Sequence, residues 1–367
     1  MKQRKRERDV FSNISIRGLL LAALLGISAA ALSGCAGAQS GRNAGNVQDG
    51  GTAQETAEEE GTPVAYLGDE AVYLDEALFY TRMLQEQWEY AYYQDFGSEM
   101  WQQEAAESGQ TLEETLKGDV MSLLTELHLL CAHAEEYGAA LTEQSQAEIA
   151  QRARNFMESN TPEVLEAAGA TVESVERYLT RNELAALTAE LIQNGYEPEI
   201  DEDEARVGKL TYCLFSATGT YDTEGNYTPF TEEEKEEIRK QSEEFAARAQ
   251  ELGDIAAAGE EASRTVIDAY FNDSTNGGTH PDVADAVRGM ETGQVSGPIE
   301  TEDGWYVVQR VSDYDESATE DNLEAMKAQA KEEYLMSLEA EWEAETPLEI
   351  EEEVWETVRV DKMLTAV

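Results

Sequence analysis

Apolar residues recur at spacings of three and four along several stretches of the chain, a pattern that predicts amphipathic helices. The clearest stretch is 111–136, where Leu116, Val120 and Leu123 lie on one broad apolar face and Gly138 follows as a stop signal. Four further stretches have the same period, and we expect helices over 75–93, 171–194, 231–252 and 321–344. Helices therefore dominate the predicted structure.

Three regions instead carry short runs of β-branched and aromatic residues bounded by glycine turns, which is typical of strands. Residues 64–74 predict two short strands joined at Gly68, and residues 207–215 predict another. Residues 293–308 contain two Gly-bounded turns, a Gly-Pro corner and a Val-Val end, and predict a pair of strands. A few paired strands among many helices indicate the α+β fold class.

The first 35 residues have the pattern of a bacterial export signal. Six basic side chains precede an apolar run of 14 residues over 19–32, which is shorter than the roughly 20 residues that span a bilayer. The run ends in Leu-Ser-Gly-Cys, which resembles the bacterial lipobox and implies cleavage before Cys35 and lipidation of its thiol. A plain signal peptide with a chance cysteine is the alternative.

Residues 36–62 are rich in Gly, Ala, Ser, Gln and Asn and have almost no large apolar side chain, so we expect a flexible tether there. No second long apolar segment follows. The predicted location is the extracytoplasmic face of the bacterial cell membrane, where the lipid at Cys35 anchors the chain.

Charge and composition limit the possible partners. The chain has 26 basic and 77 acidic side chains and a net charge of −51, which argues against nucleic acid because phosphates require basic patches. With three histidines and no Gly-rich phosphate loop, the sequence predicts no metal site and no cofactor. A disulfide between Cys131 and Cys213 is possible, but their places in a helix and a strand favour two buried thiols.

The hairpin region also carries a family pattern. The segment 293–308, Gly-Gln-Val-Ser-Gly-Pro-Ile-Glu-Thr-Glu-Asp-Gly-Trp-Tyr-Val-Val, resembles the C-terminal half of a parvulin-type prolyl isomerase domain. In that family the same region has the pattern Gly-x-x-Ser-x-Pro-x-x-Thr-x-x-Gly, followed by an aromatic or aliphatic residue, a His and two aliphatic residues. The order of elements is similar over 205–314. The resemblance implies a parvulin-like domain there, with a small antiparallel sheet surrounded by helices.

Other segments resemble the extracytoplasmic foldases of the PrsA and SurA type. The strand, glycine turn and acidic helix start over 64–76 are similar to the beginning of their mature chains, and Ala-Glu-Glu-Tyr-Gly-Ala-Ala-Leu-Thr-Glu over 134–143 is similar to a recurrent helix joint. The resemblance implies a helical N-terminal module over 64–204. It also implies a C-terminal helical segment over 318–367 that packs on this module.

The functional positions of the parvulins can be assigned, one at a time, to residues of this sequence that match the family pattern. Both histidine positions of the parvulins fall on tyrosines, Tyr212 and Tyr306, and the acid or thiol position falls on Asp273 or Asp268. We take Asp273 as the catalytic candidate. The residues expected to bind substrate are Val283, at the family's phenylalanine position, with Trp305, Phe215 and Met290.

Rotation about an X–Pro bond faces a barrier of about 18–20 kcal/mol but breaks no bond, so it requires an apolar pocket and a site that favours the twisted amide. Two interpretations stay open. The tyrosines replace the histidines as a hydrogen-bonded pair in a weak catalyst, or the domain only binds peptide, which we favour.

The sequence thus predicts a lipid-anchored extracytoplasmic foldase or chaperone that binds unfolded or partly folded secreted proteins. An active peptidyl-prolyl cis–trans isomerase is one alternative. A solute-binding lipoprotein is another, and it would show repeated strand–helix units with a parallel sheet in each of two lobes.

Overall fold

The computed structural model of the chain describes residues 61–105, 109–272, 275 and 278–364. The predicted signal, the lipidation site Cys35 and nearly all of the predicted tether lie outside the described residues, and so does the catalytic candidate Asp273. Within the described residues, none of the helices combines the length and the apolar character that a membrane span requires.

Ten α-helices are present in the described residues: α1 Leu74–Phe96, α2 Leu112–Ala132, α3 Glu143–Ser159, α4 Pro162–Ala168, α5 Val172–Gly195, α6 Glu232–Leu252, α7 Ile255–Ala262, α8 Pro281–Arg288, α9 Glu316–Glu345 and α10 Glu352–Trp355. A 3₁₀ helix, Gly97–Gln102, follows α1. The strands of the same described part are β1 Pro63–Leu67, β2 Glu70–Tyr73, β3 Gly208–Ser216, β4 Gly219–Tyr221, β5 Tyr227–Pro229, β6 Ile267–Phe271, β7 Ile299–Thr301, β8 Gly304–Ser312 and β9 Leu348–Ile350. The predicted α+β fold class is confirmed.

The chain divides into two compact units. One consists of Met1–Tyr196 with Tyr334–Val367 and is called the helical unit here; the other, Glu197–Glu333, is called the sheet unit. The sequence predicts module boundaries at 204/205 and at 314/318. Helix α9 begins before its predicted start at 321, because the Asp315 carboxylate accepts the N–H of Ala318 and the Asp315 carbonyl accepts that of Thr319.

The helical unit is built on large apolar side chains from α1, α2 and α5. Phe79, Tyr80, Leu116 and Leu124 are fully buried in this core, and Trp342 of α9 belongs to it as well. A three-stranded antiparallel sheet in the order β2-β1-β9 completes the unit. The last part of the chain therefore contributes both a core side chain and an edge strand to the fold of the first part.

Threonine N-caps explain where several helices begin. The Oγ1 of Thr111 accepts the N–H of Glu114 while the Glu114 carboxylate accepts the N–H of Thr111, which closes a capping box at α2. A second capping box, between Thr231 and Glu234, forms in the same way at α6. Each cap of this kind stabilises its helix by about 1 kcal/mol.

The sheet unit is centred on a four-stranded antiparallel sheet in the order β6-β3-β8-β7. In the register of β3 and β8, Tyr212 lies opposite Val308 and Leu214 lies opposite Tyr306. Helices α6 and α7 cover one face of this sheet and α8 covers the other. All strand pairs in the described residues are antiparallel, which differs from the parallel sheets expected of a solute-binding lipoprotein.

The two cysteines of the described part are both free thiols, whereas the sequence favoured two thiols that are both buried. Cys131 is half-buried in α2 and Cys213 is buried in β3.

Candidate functional site

The two tyrosines that occupy the parvulin histidine positions lie on neighbouring strands. Tyr212 is on β3 and Tyr306 is on β8, and their ring centroids are 5.4 Å apart with the ring planes tilted by 47°. In the part of the chain that the structure describes, the contact is between the rings, and no hydrogen bond joins the two hydroxyl groups. The hydrogen-bonded pair considered from the sequence is therefore not formed.

Apolar side chains from α8, from the loop after it and from strands β3, β6, β7 and β8 form one cluster with this tyrosine pair. Val283 and Val287 of α8 are fully buried in this cluster. Four further side chains pack against the cluster and keep part of their surface in solvent: Tyr212, Leu214, Met290 and Ile299. We call this surface the tyrosine face. It offers apolar contact area and phenolic hydroxyl groups that can donate or accept hydrogen bonds.

Burial raises the pKa of Tyr306 above its ordinary value, with smaller contributions from Asp303 and Tyr212. Its phenol therefore keeps its proton at neutral pH and can donate a hydrogen bond. Since Tyr306 is only 6% exposed, the greater part of the accessible aromatic surface belongs to Tyr212.

The structure does not bring all the predicted substrate-binding residues together. Val283 and Met290 lie on the tyrosine face, but Phe215 and Trp305 pack on the opposite face of the sheet, against α6 and α7. Phe215 is 1% exposed and contacts Phe245, with ring centroids 5.4 Å apart. Successive side chains of a strand point to opposite faces, so residues three apart in β3 or adjacent in β8 are separated by the sheet. A single pocket of all four residues is not formed.

Asp268, the alternative acid candidate, is also separated from the tyrosine face. Its carboxylate accepts a hydrogen bond of 2.6 Å from Thr211 Oγ1 and lies 2.8 Å from Lys209 Nζ. Thr211 is the neighbour of Tyr212 in β3, so its side chain and its partner Asp268 lie on the other side of the sheet. The hydrogen bonds from Lys209 and Thr211 lower the pKa of Asp268, which is therefore ionised and held in a surface ion pair.

Arg310 is a residue of this site that the sequence analysis missed. Its Nη1 donates to the carbonyls of Val287, Arg288 and Met290 at 3.1, 3.0 and 2.7 Å. The last carbonyls of a helix have no partner inside the helix. Arg310 therefore provides a hydrogen-bond donor for the carbonyls at the end of α8, and it holds Met290 beside the tyrosine face. A short helix that ends at Gly289, followed by an arginine on a predicted strand, is the sequence signal that could have indicated this role.

A family model for the PPIC-type PPIASE domain matches residues 218–328. The match includes Val283 and Tyr306 but begins after β3, the strand that carries Tyr212 and pairs with β8 from Lys209 to Ser216. The sheet unit thus contains a prolyl isomerase-type domain. This domain is of the parvulin type, as the sequence resemblance predicted.

Several solved structures are similar to the chain. Foldase protein PrsA from Lactococcus lactis is 13% identical, with a TM-score of 0.35 and coverage of 81% of this chain and 97% of that chain. Peptidylprolyl isomerase PrsA from Bacillus cereus is 16% identical, with a TM-score of 0.31 and coverage of 66% and 87%. A structure of the SurA-like chaperones PEB4 and Cj1289 from Campylobacter jejuni is 9% identical, with a TM-score of 0.25 and coverage of 64% and 88%. Among curated protein sequences, none matches this chain.

Proposed function

We propose that the chain is an extracytoplasmic foldase or chaperone, and that its parvulin-like domain binds proline-containing segments of unfolded polypeptides on the tyrosine face. The observation that carries this proposal is the pair of rings 5.4 Å apart, one buried and one partly exposed, at the edge of a cluster of apolar side chains. Such a surface suits the ring of a proline, which binds by apolar contact and makes no hydrogen bond of its own.

Binding rather than fast isomerisation is the favoured activity. A catalyst must bind the twisted amide more tightly than the planar one, which requires groups directed at the rotating bond. The two phenols are in ring contact, and the hydroxyl of the partly exposed Tyr212 is the polar group of this pair that a bound peptide would meet. The buried phenol of Tyr306 then acts as part of the floor beneath the peptide.

An exchange assay separates binding from isomerisation. A short Ala-Pro-Phe-type peptide is expected to exchange its cis and trans forms at the uncatalysed rate in the presence of the chain, while its resonances broaden or shift because it binds. Rapid catalysed exchange would overturn the binding interpretation in favour of the isomerase. Tyr212→His with Tyr306→His tests whether histidines at these two positions restore catalysis on the same scaffold.

A chaperone assay tests the wider function. The chain at several-fold excess is expected to suppress aggregation of an unfolded secreted protein, and Tyr212→Ala is expected to weaken this effect. Trp305→Ala is the matched control, because it removes an aromatic side chain from the opposite face of the same sheet. Equal suppression by both variants would contradict a role of the tyrosine face in client binding.

The proposed anchor is the lipid on Cys35. The basic start, the apolar run and the Leu-Ser-Gly-Cys box support it. Metabolic labelling with a radioactive fatty acid is expected to label the wild-type chain and not Cys35→Ser when both are expressed in a bacterium that processes lipoproteins. Equal labelling of the two chains would contradict the proposed lipidation.

A further inference from the structure

The last described segment of the helical unit, residues 358–364, contains no helix or strand and yet is firmly held. Val358 and Val360 are 4% and 0% exposed, and Met363 packs against the core of the unit. We call this part of the chain the C-terminal segment. Its two valines anchor it as apolar side chains anchor a bound peptide.

Three carbonyl groups of the C-terminal segment accept hydrogen bonds from side chains of the same unit. The carbonyl of Arg359 accepts from Arg82 Nη1 at 2.9 Å. The carbonyl of Lys362 accepts from Gln85 Nε2 at 2.7 Å. The carbonyl of Asp361 accepts from Gln102 Nε2 at 3.1 Å.

Two amide groups of the segment are held by carboxylates. The N–H of Val360 donates to Glu113 Oε1 at 2.8 Å. The N–H of Leu364 donates to both carboxylate oxygens of Glu89 at 3.0 Å. Donors thus face the carbonyls and acceptors face the amides, and five residues of the segment are contacted through main-chain atoms that every polypeptide possesses.

Three of the side chains that make these contacts are also hydrogen-bonded to one another. Arg82, Gln85 and Glu89 follow one another at spacings of three and four on one face of α1, and Gln85 and Glu89 are 0% and 3% exposed. Gln85 donates to Glu89 at 2.8 Å, Arg82 donates to Gln85 at 2.7 Å, and Trp101 Nε1 donates to Glu89 at 3.2 Å. Buried polar side chains are unfavourable unless they are hydrogen-bonded, so the main-chain groups of the C-terminal segment stabilise this row of side chains.

One donor of this row of side chains is left over. The Nε of Arg82 is buried and has no hydrogen-bond partner among the described residues. The groove therefore has hydrogen-bonding capacity beyond what the C-terminal segment uses.

We propose that these five side chains, Arg82, Gln85, Glu89, Gln102 and Glu113, form a second polypeptide-binding site, which we call the main-chain groove. The C-terminal segment is its resident occupant, and a segment of an unfolded chain displaces it. This site is separate from the proposed site on the tyrosine face, since it recognises main-chain groups and requires no proline.

The composition of the resident segment indicates the class of ligand. Its sequence Val-Arg-Val-Asp-Lys-Met-Leu begins with alternating apolar and charged residues and places two basic side chains in a strongly acidic chain. Arg359 Nε lies 3.2 Å from the Glu113 carboxylate that also binds the Val360 amide. The expected ligands are unfolded segments in which β-branched residues alternate with basic ones.

Displacement can be measured with a fluorescein-labelled peptide of residues 356–364, Glu-Thr-Val-Arg-Val-Asp-Lys-Met-Leu, which contains no proline. Leu364→Pro in the full chain removes the N–H that Glu89 holds and keeps both buried valines. This variant is expected to bind the peptide about tenfold more tightly than the wild type, because its own segment competes less well. Lys362→Ala, which changes an exposed side chain and keeps its carbonyl, is the matched control and is expected to bind as the wild type does.

Backbone methylation tests whether the groove reads main-chain atoms. Peptides N-methylated at the positions of Val360 and Leu364 are expected to lose at least about tenfold in affinity for the Leu364→Pro chain. A peptide N-methylated at the position of Met363 keeps all five main-chain groups that are hydrogen-bonded to the groove and is expected to bind like the parent. Equal affinity of all three peptides would overturn main-chain recognition.

The result that overturns the proposal is a folded Leu364→Pro chain, with the circular dichroism of the wild type, that binds the peptide no better. If this variant does not fold, a chain that ends at Met363 lacks the same N–H and gives the same test. Tyr212→Ala in either background separates the two sites, because it is expected to weaken proline-peptide binding and to leave binding of the proline-free probe unchanged.

Discussion

Nδ1 of His128, whose side chain is fully buried, lies 2.8 Å from Oε1 of Glu70. The other ring nitrogen lies 3.6 Å from the carboxylate of Glu76, and Arg181 contacts both carboxylates, at 2.6 Å to Glu76 and 3.5 Å to Glu70. These four side chains join β2, α1, α2 and α5. With the histidine protonated, two positive charges balance two negative ones inside the helical unit.

The stability of the helical unit is expected to fall as the pH rises from 6 to 8. Burial alone lowers the pKa of His128, but its hydrogen bond to Glu70 and the nearby carboxylate of Glu76 outweigh burial, so the pKa of the folded state is raised. A raised pKa gives stability that is fully present below the unfolded value of about 6.5 and is lost as the pH passes the folded value. Urea midpoints of the helical-unit transition across this range measure the effect.

His128→Gln is expected to remove this pH dependence, and His280→Gln, in the sheet unit, is expected to leave it unchanged. A midpoint of the wild type that stays constant or rises between pH 6 and 8 would contradict the charge balance described here. Below about pH 4.5 the sign reverses, because the pKa values of Glu70 and Glu76 are lowered and their protonation costs stability.

Gly304, the last glycine of the family pattern, is expected to tolerate no side chain. Its φ is +133°, and a Cβ there would lie 2.1 Å from the carbonyl oxygen of Phe215. Gly304→Ala must therefore push β3 and β8 apart and is expected to cost about 3 kcal/mol or more in the free energy of unfolding. Chemical denaturation of the sheet unit measures this cost.

Gly297 provides the comparison within the same hairpin region. A Cβ at Gly297 would meet no atom within 4 Å, so Gly297→Ala is expected to change stability little. Equal effects of the two substitutions would show that the close approach of β3 and β8 at Gly304 does not limit the fold.

Arg310→Ala is expected to loosen the end of α8 and lower the stability of the sheet unit by about 2 kcal/mol, because three carbonyls lose a charged donor. Arg239→Ala is the control, since it removes exposed ion pairs with Glu236 and Glu243 on α6 and is expected to have little effect. The same two variants should differ in hydrogen exchange at α8. Unchanged exchange in Arg310→Ala would contradict its role as the cap of this helix.

Much of the architecture followed from local patterns in the sequence. The period of three and four located the long helices, and the glycine-bounded hairpin indicated the antiparallel sheet that carries Tyr306. Tyr212 was placed by the family pattern as well, and the two rings do lie together. These features depend on residues that are close in sequence or on one pair of strands, so a single amino-acid sequence is sufficient to predict them.

The composition of the site was harder to predict. Side chains alternate between the two faces of a strand, which separates Tyr212 from Phe215 and Tyr306 from Trp305. This alternation excludes Phe215 and Trp305 from the tyrosine face. The main-chain groove had a weaker signal, three polar residues at 82, 85 and 89 that lie beside buried apolar residues of the same helix. Its partner contributes main-chain atoms, and these leave no pattern in the sequence.

The most direct test of the account is a chemical-shift map of the isotope-labelled chain titrated with a short Ala-Pro-Phe-type peptide and with the same peptide carrying alanine in place of proline. We expect the proline peptide to shift signals of Tyr212, Leu214 and Met290, while signals of Trp305 and Phe215 on the opposite face stay in place and the alanine peptide has a much smaller effect. Shifts centred on Trp305 and Phe215, or equal effects of the two peptides, would contradict the tyrosine face as a proline-binding surface.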